Sequence, residues 1–224
     1  LYIMSSLSVM ILAGGQSRRM GQDKALLKVD GEQTLLASTV NIARSLTSDV
    51  LIVTPWPERY QPLFSVALPS PVSFVRETAN PTGPLTGFAV GWPQVSADWC
   101  LLLACDLPCL EVAALQTWWQ WLCDLERDAP KDWSCDRTLL AAPGAPIASL
   151  AKSEMGDSRH GPSKLWEPLC GFYHRRCLPS LMAYVSGGQR SFQGWLSEQS
   201  SAIAVYTAAP PQLFLNWNRP EDLP

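Results

Sequence analysis

The chain has 224 residues and a mass of 24.7 kDa, with 47% hydrophobic and 17% charged residues, material for one large domain around its own core. A formal charge of −3 and a pI near 5.4 argue against a general nucleic-acid binder, because no overall positive field gathers polyanions. No stretch approaches the roughly 20 apolar residues of a membrane span, and LYIMSSLSVMILAGG at the start lacks the basic n-region of a secretory signal, so a soluble protein is expected.

Met4 is a candidate native start. Val9 to Ala13 reads as a buried strand that runs into the glycine-rich, basic turn GGQSRRMGQDK. Leu35, Leu36, Thr39, Val40, Ile42, Ala43 and Leu46 recur at helical spacing. DVLIVTP and VSFVRE read as the second and third strands, with a short helix from about Leu85 to Trp92 after them. ADWCLLLACDLP holds the most apolar strand. A helix follows, because Val112, Leu115, Trp118, Trp119, Leu122 and Leu125 return every three or four positions.

Between about 124 and 163 neither period is present, and SLAKSEMGDSRHGPSK is rich in Ser, Gly and charge, so a mobile surface insertion is expected there. EPLCGFYH then reads as a strand, CLPSLMAYVSGG as a helix stopped by Gly187-Gly188, Phe192 to Leu196 as a short helix and SAIAVYT as a strand. In the closing FLNWNRPEDL, Pro220-Glu221-Asp222 has the look of a helix start. Strands alternating with helices predict an α/β fold with a largely parallel sheet in a single domain.

Seven cysteines without a CxxC pair form an odd set, which does not suit a secreted disulfide framework. His160 and His174 have no metal-motif spacing with them, so no zinc site is expected. Free thiols in the reducing cytoplasm are the expectation. In TWWQWL, Trp118 and Trp119 share the helix's apolar face, whereas Trp121 falls off it and is either core or a partner surface.

Ligands of open α/β sheets collect where strands end and loops lead into helices. Three polar features fall at such points. The opening turn is not a P-loop, since five residues separate Gly15 from Gly21 and Lys24 has no hydroxyl residue beside it; nor is it GxGxxG. Glycines let backbone N–H groups approach an anion, and Arg18, Arg19 and Lys24 would neutralise it; a solvated basic turn is the alternative. Asp106 ends the most apolar strand, where a carboxylate needs a partner. Mg²⁺ carried with phosphate oxygens suits it, and the alternative is a cap for the Trp-rich helix. Asn216 and Asn218 alternate along an extended stretch and face one side.

In order, LAGGQSRRMGQDK, ETANPTGPLTG, CDLPCL, EPLCGFYHRRCLPSL and NWNRPEDL resemble the molybdenum cofactor guanylyltransferases, over most of the chain outside roughly Asp124 to Ser163. The resemblance implies a Rossmann-like three-layer fold with a mostly parallel mixed sheet. It also implies transfer of GMP from GTP to molybdopterin with release of pyrophosphate, and contact with other molybdenum cofactor proteins or molybdoenzymes. Gly14-Gly15 and Asp23-Lys24 match the guanylyl branch, where cytidylyl relatives tend toward LAAG.

By the same resemblance Leu12, Ala13, Gly14 and Gly15 would lie along the nucleotide. Lys24 would bind the triphosphate with Arg18 and Arg19 beside it, Asp106 would hold Mg²⁺, and Asn216 and Asn218 would face the pterin. Glu77 stands where relatives carry an aspartate, and its longer side chain would accept the same hydrogen bonds. The rival readings are a nucleotidyltransferase using CTP with molybdopterin or another triphosphate with a sugar phosphate, and an inactive nucleotide-binding protein.

Overall fold

The computed structural model describes residues 5–15, 22–29, 33–65, 71–78, 82–128, 148–152, 166–199, 203–207 and 211–215. Its strands are β1 (Leu7–Leu12), β2 (Lys28–Val29), β3 (Gln33–Thr34), β4 (Val50–Thr54), β5 (Ser73–Arg76), β6 (Trp99–Ala104), β7 (Ala148–Lys152), β8 (Trp166–His174) and β9 (Ile203–Val205). Its helices are α1 (Leu35–Arg44), α2 (Pro57–Tyr60), α3 (Pro84–Gly91), α4 (Val112–Arg127), α5 (Leu178–Ser186) and α6 (Phe192–Glu198).

Seven strands form one sheet in the order β5-β4-β1-β6-β8-β7-β9, and β2 pairs with β3 apart from it. The β5-β4-β1-β6 half is parallel throughout; β8 lies antiparallel to both its neighbours, and β9 is parallel to β7. Four of the six pairings in this sheet are therefore parallel, as expected of a mostly parallel mixed sheet.

The strands β4 and β6 are buried at every position because helices cover both faces. Alternation along the strands divides the core in two. Val9, Ile11, Ile52, Leu101 and Leu103 face α1 and α4, where Leu36, Val40, Leu115, Trp118 and Leu122 meet them. Met10, Leu51, Val53, Cys100 and Leu102 face α3, α5 and α6. On that side Phe88 is the hub, with the rings of Trp92 and Tyr173 each centred 4.8 Å away and Phe192 at 5.7 Å. Truncating such a ring costs about 3–5 kcal/mol.

Local chemistry sets the element ends that matter here. Thr34 caps α1 by accepting the Ala37 N–H at 3.2 Å. Gly83, at φ +124°, turns the chain into α3, whose first residue is Pro84. Trp118 and Trp119 pack on Phe172, and Trp121 tilts against Tyr206 at 5.1 Å, so this tryptophan belongs to the edge of the core.

The span expected as an insertion holds regular structure at its start and within it. The helix α4 continues to Arg127, and Ala148–Lys152 is a strand of the main sheet, paired with β8 and β9. Those two pairings come from distant segments, which is why the local pattern of SLAK does not announce a strand. The rest of that span, the expected helix start at Pro220 and the residues 216–224 lie outside the described residues. No helix among the described residues is long and apolar enough to cross a membrane, and the six described cysteines are free.

Candidate active site

The carboxyl ends of β1, β4, β5 and β6 lie side by side, and the residues that leave β1, β5 and β6 line a cleft of about 540 Å³ closed by the start of α3. The cleft brings together Leu12, Ala13, Gly14 and Gly15 from the end of β1, Lys24 from the next turn, Glu77 after β5 and Asp106 after β6. Arg18, Asn216 and Asn218 fall outside the described residues.

The Lys24 Nζ donates to Asp106 Oδ2 at 3.1 Å, with the two side chains 15% and 21% exposed. This pair holds opposite charges at an opening that a ligand can still reach. Asp106 does not cap the Trp-rich helix: α4 begins at Val112 behind Glu111, and no side chain caps it. Its position is set by β6, where Ala104 pairs with Leu12, and by the Cys105 N–H, which donates to Leu12 O at 3.3 Å.

Glu77 is the more unusual carboxylate. It is 5% exposed, and its Oε1 is buried without a hydrogen-bond partner among the described residues. Burial pushes its pKa above the ordinary glutamate range. Its backbone is fixed, because the Glu77 N–H donates to Thr54 O at 2.9 Å. A Cβ on Gly14 would stand 2.6 Å from Glu77 Oε2 and 3.2 Å from Pro55 Cδ, so only glycine allows this carboxylate to lie against the β1 turn. A buried acceptor with an unused oxygen calls for a donor from a ligand.

Tyr60 and Arg59 join the site without having been singled out in the sequence, and Asp23, noted there only as part of the Asp23-Lys24 pair, is what ties them to it. Asp23 accepts the Ala25 N–H at 3.1 Å and caps the short turn that carries Lys24. Its Oδ2 also accepts from the Tyr60 hydroxyl and from Arg59 Nη1, each at 2.7 Å. Arg59 in turn lies 4.5 Å above the Trp56 ring. Burial and the bond to Asp23 raise the Tyr60 pKa, so the phenol stays a donor. An Asp placed just before a turn was the one signal for this arrangement; Tyr60 and Arg59 sit in α2, a single turn too short for periodicity to reveal. Cys105 also lines the cleft, and burial pushes its thiol up, away from nucleophilic thiolate.

The family described as the MobA-like NTP transferase domain matches residues 9–202. A protein of Nostoc sp. named "Probable molybdenum cofactor guanylyltransferase" is 45% identical over 98% of this chain and 90% of its own length. One of the same name from Synechococcus elongatus is 40% identical over 96% and 95%. The chain belongs to the molybdenum cofactor guanylyltransferases. The crystal structure of molybdopterin-guanine dinucleotide biosynthesis protein A from Archaeoglobus fulgidus superposes with a TM-score of 0.66 at 17% identity, over 96% of this chain and 94% of that one. It shares the fold. Membership in this guanylyltransferase family makes the chain an enzyme of the nucleotidyltransferase class, as its motifs imply.

Proposed function

We propose that the cleft binds GTP and that the protein transfers its GMP moiety to molybdopterin, releasing pyrophosphate. The observation that carries this reading is the Lys24–Asp106 pair, reached from solvent beside a buried Glu77 whose Oε1 has no hydrogen-bond partner among the described residues. In the reaction, an oxygen of the acceptor's phosphate forms a bond to the α-phosphorus, and the bond from that phosphorus to the bridging β-oxygen breaks. The acceptor supplies the nucleophile, so the inert thiol of Cys105 has no chemical part in it.

Each residue acts through position and charge. Lys24 turns its ammonium from Asp106 to the phosphates and offsets the charge gathering on the departing pyrophosphate. The Asp23 cap and the Tyr60 and Arg59 bonds hold that turn in place. Glu77 accepts from N1–H and the 2-amino group of guanine, the two-donor edge that cytosine and adenine lack. Gly14 and Gly15 let the base and sugar lie close to the backbone. Arg18, Asn216 and Asn218 remain assigned by resemblance to the phosphates and the pterin.

A divalent ion fits Asp106. Among the described residues no cluster of three or more His, Cys, Asp or Glu surrounds it, and Mg²⁺ commonly takes one or two carboxylates with substrate phosphates and water. When bound, Mg²⁺ supplies Lewis-acid stabilisation of phosphate oxygens. We place the protein in the cytoplasm, in keeping with its free thiols. The test is incubation with molybdopterin, Mg²⁺ and each of the four ribonucleoside triphosphates in turn, with the product identified by mass. The guanine dinucleotide is expected. A cytosine dinucleotide would move the protein to the cytidylyl branch, and no dinucleotide would leave a nucleotide-binding protein.

A further inference from the structure

A second cavity, of about 230 Å³, adjoins the first and shares Pro84, Ala104 and Leu169 with it. It exists because the β7–β8 ladder is broken. Leu150 pairs with Gly171 and Lys152 with Trp166, so Ala151 alone on β7 stands against Glu167, Pro168, Leu169 and Cys170 on β8. All four of those β8 residues line the cavity. Bulges of this kind re-aim side chains beside active sites.

The bulge is held rigidly on both sides of Glu167. The Gln193 side chain accepts the Trp166 N–H at 3.2 Å and donates to Trp166 O at 2.7 Å, and the Tyr173 hydroxyl donates to Pro168 O at 2.8 Å. Glu167 is half-buried, and its carboxylate accepts no hydrogen bond from a described residue. Phe192 and Phe214 add aromatic walls. The volume is below the roughly 300–1,000 Å³ of sites for drug-sized ligands, so it suits one ring system more than a whole nucleotide.

Resting on the GMP transfer proposed above, we infer that this cavity seats the pterin ring of the acceptor, with the Glu167 carboxylate accepting from its N3–H and 2-amino group. A planar bicycle fits between aromatic walls, and a two-donor edge matches an acceptor-only carboxylate. The same negative charge repels the acceptor's phosphate, which is thereby directed through the shared wall toward Lys24. Guanine carries the same two-donor edge, so the test must separate the two rings.

The experiment titrates the protein with 6-hydroxymethylpterin and with its 2-oxo counterpart, 6-hydroxymethyllumazine, in the presence of Mg²⁺ and GTP, following ligand fluorescence. The parental protein should prefer the pterin by about tenfold or more, the scale of one hydrogen bond to a charged group. Glu167→Gln should lose that preference, Glu167→Asp should keep part of it, and neither should change the Kd for GTP. Equal affinity for the two compounds in the parental protein overturns the inference, as does an unchanged preference in Glu167→Gln. A rise in the Kd for GTP in place of the pterin effect would assign Glu167 to guanine and overturn it too. Should Glu167→Gln fail to fold by thermal melting, the parental comparison alone decides. These titrations need no turnover. A protein that prefers pterin yet transfers no GMP keeps the pocket and removes the activity; one that transfers GMP without the preference does the reverse.

Discussion

The two halves of the sheet present their polar groups in different ways. In the parallel half, β5-β4-β1-β6, four strands end at one level, and three of them deliver a residue to the cleft within a step or two of their last pairing. Glu77 follows β5 at once, Gly14 stands two residues past β1, and Asp106 two past β6. Across β6 the chain reverses in β8, and its offering to the cleft comes from a bulge in mid-strand. The parallel half therefore places charge by the length of its strands, whereas the antiparallel half places it by a break in register. A nucleotide site built the first way tolerates little change at single positions. A cavity built the second way can vary with the bulge.

The largest effect should come from Asp106→Asn, which keeps the size and one oxygen but removes the charge. Turnover should fall by about 10²–10³ and recover only in part as Mg²⁺ is raised, with the melting temperature near the parental value. Parental turnover and magnesium dependence in a folded variant would reduce Asp106 to a structural residue. Next, Lys24→Ala should raise the KM for GTP and lower kcat, for a loss of about ten- to a hundredfold in kcat/KM with GTP. An unchanged rate of GMP transfer would remove Lys24 from the triphosphate.

Glu77→Gln should cost GTP about tenfold in kcat/KM and narrow the preference for GTP over CTP. It also carries a pH signature. Because burial raises the Glu77 pKa in the folded state, its neutral form is favoured there, and that contribution to stability is full below the unfolded value. The contribution fades as the pH rises from about 4.5 through the raised pKa. Melting temperatures from pH 4 to 8 should therefore show Glu77→Gln matching the parental protein at the acidic end and exceeding it at the neutral end. Parallel curves would mean that Glu77 finds a partner in the free protein. The smallest effect is expected from Tyr60→Phe, which leaves Asp23 its bonds from Arg59 and Ala25. A rise of about threefold to tenfold in the KM for GTP, with kcat within twofold, would mark Tyr60 as positioning Lys24.

What the sequence displays of this design follows from how each half is built. Strands β1, β4 and β6 are apolar runs, and α1 and α4 are amphipathic, so both could be read from local period alone. Gly14 and Asp106 stood out because they follow the ends of those runs, and Lys24 because it closes the basic turn after β1. By contrast, β2 and β3 are two residues each, and β7 is a strand only through partners far along the chain. The reversal of β8 and its bulge are properties of register, which no local pattern encodes. Asp23 meets Arg59 and Tyr60 across 36 and 37 positions, and their short helix carries no period.

The central claim is that guanine lies against Glu77 with its phosphates at Lys24 and Asp106. A crystal structure of the protein with Mg²⁺ and a GTP analogue that cannot be cleaved between its α- and β-phosphates tests it directly. The account predicts the two-donor edge of guanine within hydrogen-bond distance of the Glu77 carboxylate, the Lys24 ammonium on the phosphates and the metal on Asp106. Guanine seated instead against Glu167 in the second cavity, with Glu77 unpaired, would contradict it.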